Sequence, residues 1–348
     1  MTDSVPLPSL GAPSVLVMGG LFLEIVFGDV GELPSPGTEV FSSSFGVSWG
    51  GAVTVAIAAR RAGASVGMVT ALGEDLTSLA IEEFCERNGI DVSMARRVSG
   101  VAIGVTAALN FEQDRALVTY HPERTGGGRH SSDWWIDALR RARPKWIYLH
   151  AGPEAVPVVR EARALGCRVA LDIDLVTVTS HADAALECLR FADVFLPNEQ
   201  EILQLAGEDA TEVGGRVPPD VDAALEAAVR KVLPRCGTVV VKRGLAGALV
   251  ANDGTLHTVS EGLRDVEVLD RTGAGDSFAG ALIAGLMQGW PLDQAVVAAN
   301  TAGSRAVARL GAIGALDSAA PIGRPSEHAL DFAAAVVFPA QSGNGTPP

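Results

Sequence analysis

The chain has 348 residues, of which 48% are apolar, so it can bury one large core or two modest ones. Its 27 basic residues against 41 acidic ones give a net charge of −14, which argues against nucleic acid or an anionic membrane as a partner. The four cysteines stand far apart and no apolar run is long enough to span a bilayer, which argues against a zinc site, a disulfide framework and a membrane anchor.

The N-terminal residues 1–13 lack the basic start and the apolar stretch of a signal peptide, so we expect a disordered tail on a cytoplasmic protein. From Ser14 onward, short apolar runs alternate with helix-length segments. Such continuous apolar strands are typical of a sheet that is covered on both faces. The pattern predicts an α/β fold, with a central, mostly parallel β-sheet flanked by helices on both faces. The predicted helices include 51–62 and 77–88, and the predicted strands are 15–18, 66–70, 146–149, 168–172, 194–196 and 238–241.

Two stretches, at about 21–45 and 101–120, lack a helical pattern and alternate polar with apolar residues. The second predicts a hairpin that turns at 112–114. Together they predict a small antiparallel β-sheet that stands off the main domain as a lid. Further along, 208–219 is predicted to be a surface loop, and the tail 339–348 is predicted to be disordered.

The most informative segment runs from Asp270 to Asp276 and reads Asp-Arg-Thr-Gly-Ala-Gly-Asp, followed by a helix rich in small residues. Gly273 and Gly275 allow a tight turn, so that main-chain amides converge where the helix begins. A helix N-terminus with open amides is a ready anion site. A carboxylate in the same turn is suited to take a proton beside a bound phosphate, a role worth roughly 10²–10⁴ in rate. The alternative is a glycine-rich turn in which Asp276 only stabilises the helix dipole.

This segment resembles the C-terminal signature of the PfkB (ribokinase-like) family of carbohydrate and nucleoside kinases, and the resemblance covers roughly residues 15–320. It implies a ribokinase-like kinase domain at 14–325 that uses ATP. It also implies that Asp276 is the catalytic base that deprotonates a sugar hydroxyl. The amides of Gly273, Ala274 and Gly275 would then form the anion hole for the γ-phosphate.

Three further segments match the family's nucleotide site. Asn198 and Glu201 match an N-x-x-E motif whose Glu organises Mg²⁺ through waters, although the spacing is also typical of a helix capping box. Lys242, Gly244 and Gly247 match a nucleotide loop, the alternative being a hairpin. Asn300 matches a position near the adenine, the alternative being a surface residue.

The resemblance also implies a monovalent-cation loop, such as one for K⁺, at Asp270 and Thr272. Because ligands of open α/β sheets lie beyond the C-terminal strand ends, His150, Asp172 and Asp174 are candidates to line the substrate site. For each of these three, a structural polar role is the alternative.

The acceptor site should lie under the lid, where Trp49, Gly50 and Gly51 match a glycine-rich family motif. Thr54 stands where the family has Asn, and Glu24 stands where relatives have Asp. These two departures predict an acceptor that differs in shape from ribose or fructose. Trp49 beside the glycine pair is a candidate for stacking on a ring or base.

Three functions follow from these residues. The leading one is an ATP- and Mg²⁺-dependent kinase acting on a sugar or sugar-like acceptor, and the alternative in the same family is a nucleoside kinase. A sensor that binds a sugar without catalysis is the alternative from another class. Relatives commonly dimerise through their lids, and an apolar lid face predicts a homodimer here. That face is predicted at Val101, Ile103, Val105 and Ala107.

Overall fold

The computed structural model describes residues 12–100, 103–111, 115–121, 132–207, 221–262 and 266–313. The predicted turn at 112–114, the loop at 208–219 and the tail at 339–348 lie outside the described residues, as do Val101, nearly all of the N-terminal tail and the predicted domain end at 325.

Fifteen strands are present in the described part of the chain, and the six strands predicted for the central sheet each begin and end within one residue of their predicted bounds. They are β1 (Val15–Met18), β2 (Leu21–Gly28), β3 (Ser44–Gly51), β4 (Val66–Val69), β5 (Ala71–Leu72), β6 (Ile90–Asp91), β7 (Arg96–Arg97), β8 (Gly104–Asn110), β9 (Arg115–Tyr120), β10 (Trp146–His150), β11 (Arg168–Asp172), β12 (Val194–Phe195), β13 (Thr238–Lys242), β14 (Ala248–Asn252) and β15 (Thr255–Val259).

The same part of the chain contains ten α-helices. They are α1 (Ala52–Arg61), α2 (Leu76–Arg87), α3 (Ser132–Ala142), α4 (Ala155–Ala164), α5 (Leu175–Ser180), α6 (Ala182–Leu189), α7 (Glu199–Leu205), α8 (Val221–Val232), α9 (Ala274–Met287) and α10 (Leu292–Val307).

The central sheet has the described strand order β15-β14-β13-β12-β11-β10-β1-β4-β6. Every pair from β13 to β6 is parallel, and β14 and β15 add an antiparallel edge. One apolar core lies between the sheet and α1, α9 and α10, and a second lies between the opposite face and the helices α3 to α8. The predicted α/β fold, with helices on both faces of a mostly parallel sheet, is confirmed. Within the described residues, no helix is both long and apolar enough to cross a bilayer.

The lid is a separate sheet with the strand order β3-β2-β8-β9. The two hairpins, β2–β3 and β8–β9, are antiparallel as expected, but β2 pairs with β8 in parallel, so the sheet is mixed. The first lid segment also extends beyond the predicted limit of 45, because β3 continues to Gly51, where α1 begins. The lid therefore joins the main domain directly at the predicted acceptor motif.

Candidate functional site: two cavities on either side of a helix start

The first turn of α9 has the geometry that an anion hole requires. Gly273 has a φ of 74° and caps the helix without a side-chain hydrogen bond, so the amides that follow are not occupied by a side-chain cap. A Cβ atom on Gly273 would lie 2.4 Å from the Cβ of Ala312, so this position admits glycine on both conformational and steric grounds. The main chain is thus free to present its N–H groups at the positive end of the helix.

Asp270 is buried and fixes the loop that leads into this turn. One carboxylate oxygen accepts hydrogen bonds from the Thr272 amide at 2.9 Å and the Thr272 hydroxyl at 2.6 Å, and the other accepts one from the Gly311 amide at 2.9 Å. Asp270, which is predicted to face a monovalent cation, therefore ties the loop before α9 to the segment 311–313. No motif in the sequence indicates a role for this segment.

A cavity of about 590 Å³ lies on one side of the α9 start, and Ala274 and Gly275 form part of its wall. All five residues predicted to bind the nucleotide line this same cavity, although they are distant in the sequence. They are Asn198, Lys242, Gly244, Gly247 and Asn300. Pockets of this size and composition are typical of small-molecule sites.

Two of these residues also shape the wall. Gly247 has a φ of 81°, and a Cβ atom there would lie 2.2 Å from the carbonyl oxygen of Val259. The Asn300 side-chain amide donates to the carbonyls of Val259 at 3.1 Å and Glu261 at 2.8 Å. Asn300 is therefore oriented by the end of β15, rather than being a surface residue.

Asn198 and Glu201 form the capping box that their spacing also predicts. The Glu201 amide donates to Asn198 Oδ1 at 2.8 Å, and the Asn198 amide donates to Glu201 Oε2 at 2.7 Å. Burial raises the pKa of Glu201 to about 7; Lys242 opposes this rise and Asp172 adds to it. The cap uses only Oε2 of Glu201, and its Oε1 atom has no hydrogen-bond partner among the described residues. The capping box is therefore compatible with a contact between Oε1 and a metal-bound water.

A buried ion pair that the sequence analysis did not identify lies beside the anion hole. Lys242 Nζ donates to both oxygens of Asp172, at 2.9 and 2.7 Å, and Tyr148 donates its hydroxyl to Asp172 at 3.2 Å. Burial opposes the Lys242 charge, but Asp172 and Glu201 keep the pKa of Lys242 above its ordinary value. A Cβ atom on Gly275 would lie 3.4 Å from Lys242 Nζ, which shows how near this cation is to the anion hole.

Asp276 lies in the first turn of α9 and is half-buried. Loss of solvent raises its pKa, with a further rise from Asp172, while His150 and Lys242 act in the opposite direction. A carboxylate with a raised pKa binds a proton more strongly, which is what a general base requires.

His150 is the last residue of β10 and Asp174 follows the end of β11, at the edge where ligands of such sheets bind. His150 Nδ1 lies 3.7 Å from Asp174 Oδ2, and His150 Nε2 lies 3.3 Å from the Tyr148 hydroxyl. Burial alone would lower the pKa of His150, but the contact with Asp174 and the charges of Asp172 and Asp276 raise it. Asp174 also caps α5, because its side chain accepts from the Thr177 amide.

A second cavity, of about 470 Å³, lies under the inner face of the lid, and Thr272 connects it to the anion-hole loop. Glu24 lines it, and its Oε2 atom accepts a hydrogen bond from the Ala312 amide at 3.3 Å. A Cβ atom on Gly50 would lie 2.3 Å from Glu24 Oε1, so glycine is needed to admit this carboxylate. Gly51 has a φ of 74° at the turn into α1. The lid residues Phe22, Thr106, Thr119 and His121 also line the cavity.

Of the residues predicted to bind the acceptor, Glu24 lines this cavity, whereas the side chains of Trp49 and Thr54 lie elsewhere. Trp49 lies on the opposite face of β3 from Ser48 and Gly50, because side chains alternate along a strand, and it packs against the main core. Thr54 is fully buried in α1, where its hydroxyl lies 3.5 Å from the Trp49 carbonyl oxygen. The stacking role of Trp49 and the acceptor contact of Thr54 therefore stay predictions that the lining of this cavity does not support.

The model of the pfkB family of carbohydrate kinases matches residues 27–319 of the chain. A cytidine kinase from Thermococcus kodakarensis is 25% identical over 253 residues, which cover 71% of this chain and 83% of that protein. A ribokinase from Haemophilus influenzae is 22% identical over 306 residues, covering 86% of this chain and 94% of that protein. Among solved structures, a ribokinase from Thermotoga maritima has the same fold, with a TM-score of 0.67 at 23% identity, covering 87% of this chain and 95% of that one.

Proposed function

Because the chain belongs to the PfkB family of carbohydrate kinases, which are phosphotransferases with an alcohol acceptor, we propose that it transfers the γ-phosphate of ATP to a hydroxyl of a sugar or sugar-like acceptor. The observation that carries the proposal is the position of the α9 start between two cavities, one lined by the predicted nucleotide residues and one lying under the lid. A donor in the first and an acceptor in the second would meet at Gly273–Asp276.

In this mechanism the carboxylate of Asp276 accepts the proton of the attacking hydroxyl. The amides of Gly273, Ala274 and Gly275 donate to the oxygens of the transferring phosphoryl group, whose charge spreads over them in the transition state. Lys242 adds a positive charge beside these amides and is held there by Asp172. Glu24 and the two lid threonines, Thr106 and Thr119, offer polar groups to the other hydroxyls of the acceptor.

The residues present fit Mg²⁺ as a cofactor. No cluster of three or more His, Cys, Asp or Glu side chains in the described residues is arranged to hold a metal ion. Mg²⁺ often binds through one or two carboxylates, waters and substrate phosphates, so such a cluster is not needed. Glu201 is the carboxylate that we propose for this role, acting through a water. When bound, the ion neutralises charge on the phosphates. A monovalent cation such as K⁺ beside the Asp270 loop remains part of the proposal.

The first prediction tests the catalytic base. Replacing Asp276 with Asn removes the proton acceptor and keeps the shape of the side chain, so ADP release should fall by roughly 10²–10⁴. Nucleotide binding, measured by isothermal titration calorimetry, should persist. Asp293→Asn, the same change in the first turn of α10, is the matched control and should retain activity. Unchanged turnover in Asp276→Asn would exclude the assignment.

A nucleoside is the second candidate acceptor, and the lid wall provides the observation that favours it. The rings of Phe22 and His121 meet edge to face at 5.2 Å, and both residues line the acceptor cavity, where they offer a surface to a base. The relative from Thermococcus kodakarensis is named as a cytidine kinase. An ADP-release screen over ribose, fructose, 2-keto-3-deoxygluconate and nucleosides separates the two acceptors. Saturable sugar binding without ADP formation from any of them would instead indicate a sensor.

We also propose that the chain forms a homodimer through the lid. The strand register places apolar side chains on the face of the lid that is turned away from the acceptor cavity. Phe45, Val47 and Val118 on this face are at least half exposed. An apolar sheet face of this kind is stabilised when a second copy covers it. The outer lid face consists of Leu23, Ile25, Phe27, Phe45, Val47, Val105, Ala107, Leu109, Ala116, Val118 and Tyr120, with Trp49 at its end against the main core. Ile103, which the sequence predicts on this face, is instead fully buried in that core.

A further inference from the structure

The parallel strands that carry the active-site residues also carry a second set of side chains at their opposite ends. Strand β11 ends at Asp172 but begins at Arg168, and β13 ends at Lys242 but begins at Thr238. Two adjoining cavities, of about 670 and 430 Å³, lie at these N-terminal strand ends and share four wall residues: Arg168, Asp193, Thr238 and Asn252. We call the two cavities together the basal groove.

The basal groove is separate from the kinase site. A strand of five residues spans roughly 16 Å. The two ends of β11 therefore lie at opposite edges of the sheet, one at the N-terminal and one at the C-terminal strand ends. The helix α9 leads to the same conclusion, because its first residues form the anion hole and its last residues, Leu286 and Met287, line the basal groove. Its 14 residues extend about 21 Å. One small ligand cannot occupy both sites.

The groove is basic in a strongly acidic protein. Five cationic side chains line it against two carboxylates, those of Asp193 and Asp253. Asp193 is already neutralised, because Arg163 Nη1 contacts both of its carboxylate oxygens at 3.0 Å and the Val169 amide donates to it at 2.8 Å. Within the described residues, the other four cations form no ion pair. They are Lys145, Arg168, Arg190 and Arg235.

The stabilisation of helix ends accounts for only part of this charge. Cations are favoured near the C-terminus of a helix, and Arg163 and Arg190 do lie at the ends of α4 and α6. Lys145 and Arg168, in contrast, lie at the starts of strands β10 and β11 and belong to no helix. Their convergence on one concave surface favours an anionic ligand.

One wall of the groove is apolar. Leu286, Met287, Trp290 and Leu292 form it, and all four are only partly buried. The Arg168 guanidinium lies 5.7 Å above the ring of Trp146, which holds the charged end of Arg168 at the boundary between the apolar wall and the arginines. The two volumes fall in the range of small-molecule sites.

We propose that the basal groove is a second ligand site, which binds a small phosphorylated molecule through its arginines and an apolar portion of the same molecule against Trp290. The proposal does not depend on the identity of the kinase acceptor. We propose binding at the groove and no chemical reaction.

The test is calorimetric titration with phenyl phosphate, which carries both an anion and a ring. Four full-length proteins are compared: the unmodified chain, Arg190→Glu, Arg235→Glu and the control Arg141→Glu. Arg141 is also exposed and lies in the last turn of α3, but it is not part of the groove. Reversing a groove charge should weaken binding about tenfold, which corresponds to about 1.4 kcal/mol, and the control should bind as the unmodified chain does. Retained kinase activity in each variant reports that it is folded.

Equal titration curves for all four proteins would overturn the proposal, because any binding seen would then lie outside the groove. A second titration, with inorganic phosphate, tests the apolar wall. Phosphate should bind more weakly than phenyl phosphate in the unmodified chain and should lose affinity in the same two variants. Equal affinity for the two probes would contradict the part assigned to Trp290.

Discussion

Lys242 and Asp172 form the most deeply buried ion pair among the described residues, with 15% and 3% of their side chains exposed. Removing one partner of a buried pair leaves an uncompensated charge and typically costs about 3–5 kcal/mol. We therefore predict that Lys242→Met lowers the free energy of unfolding by this amount in urea denaturation, and that the double variant Lys242→Met/Asp172→Asn recovers most of the loss.

The control for this prediction is Arg160→Met, which breaks an ion pair with Glu187 whose side chains are 58% and 42% exposed. Exposed pairs contribute at most about 1 kcal/mol, so this variant should unfold nearly as the unmodified chain does. If Arg160→Met and Lys242→Met lowered the free energy of unfolding by similar amounts, the claim that burial of the Lys242–Asp172 pair causes the larger loss would be contradicted.

His150 provides a prediction in which pH is the variable. Its raised pKa depends on Asp174, and the pKa of Asp174 is lowered to about 2, chiefly by the same contact with His150. Since the folded state favours the protonated imidazole, this pair stabilises the fold below the ordinary histidine value of 6.5 and ceases to do so as the pH rises through the folded pKa. Asp174→Asn should lower the pKa of His150, measured by an NMR titration that His150→Gln assigns. An unchanged value would show that Asp174 is not the cause.

At the scale of elements, the contact between α1 and α9 sets the position of the predicted anion hole, because α9 begins at that turn. A Cβ atom on Gly280 would lie 2.3 Å from the carbonyl oxygen of Val55 and 2.8 Å from the Cβ of Ala58. Gly280→Ala should therefore force the two helices apart and cost roughly 1–3 kcal/mol in the free energy of unfolding. Gly152→Ala is the control, since the nearest atom to its Cβ would be 3.8 Å away. Equal stability of the two variants would mean that the helices accommodate the extra methyl group.

At the scale of the whole molecule, the outer lid face is the surface through which we expect two chains to form a dimer. Val47 and Val118 lie on it and are 59% and 70% exposed in the single chain. A lysine at either position would bring charge into an apolar interface, so we predict that Val47→Lys and Val118→Lys shift the molecular mass in light scattering from dimer to monomer. Leu79→Lys on α2, where the native side chain is 53% exposed, should leave the mass unchanged. A monomeric mass for the unmodified chain would contradict the proposed dimer.

The sequence by itself determined the positions of six central strands, the helices on both faces of a mostly parallel sheet and the glycine-rich turn at Gly273–Asp276. These features depend on local signals: continuous apolar runs, helix stop residues and glycines where φ is positive. The five residues that the family resemblance assigned to the nucleotide also line one cavity.

Only the tertiary structure decided which side chains meet. Asp172 and Lys242 are 70 positions apart, and the segment 311–313 reaches both Asp270 and Glu24. No local pattern indicates such contacts, since they depend on how distant elements pack. The same is true of Trp49. The motif indicated its place in the chain, whereas the strand register determines that its side chain faces away from the cavity under the lid. The periodicity of a strand predicts alternating faces, but only the packing of the sheet determines which of the two faces the ligand.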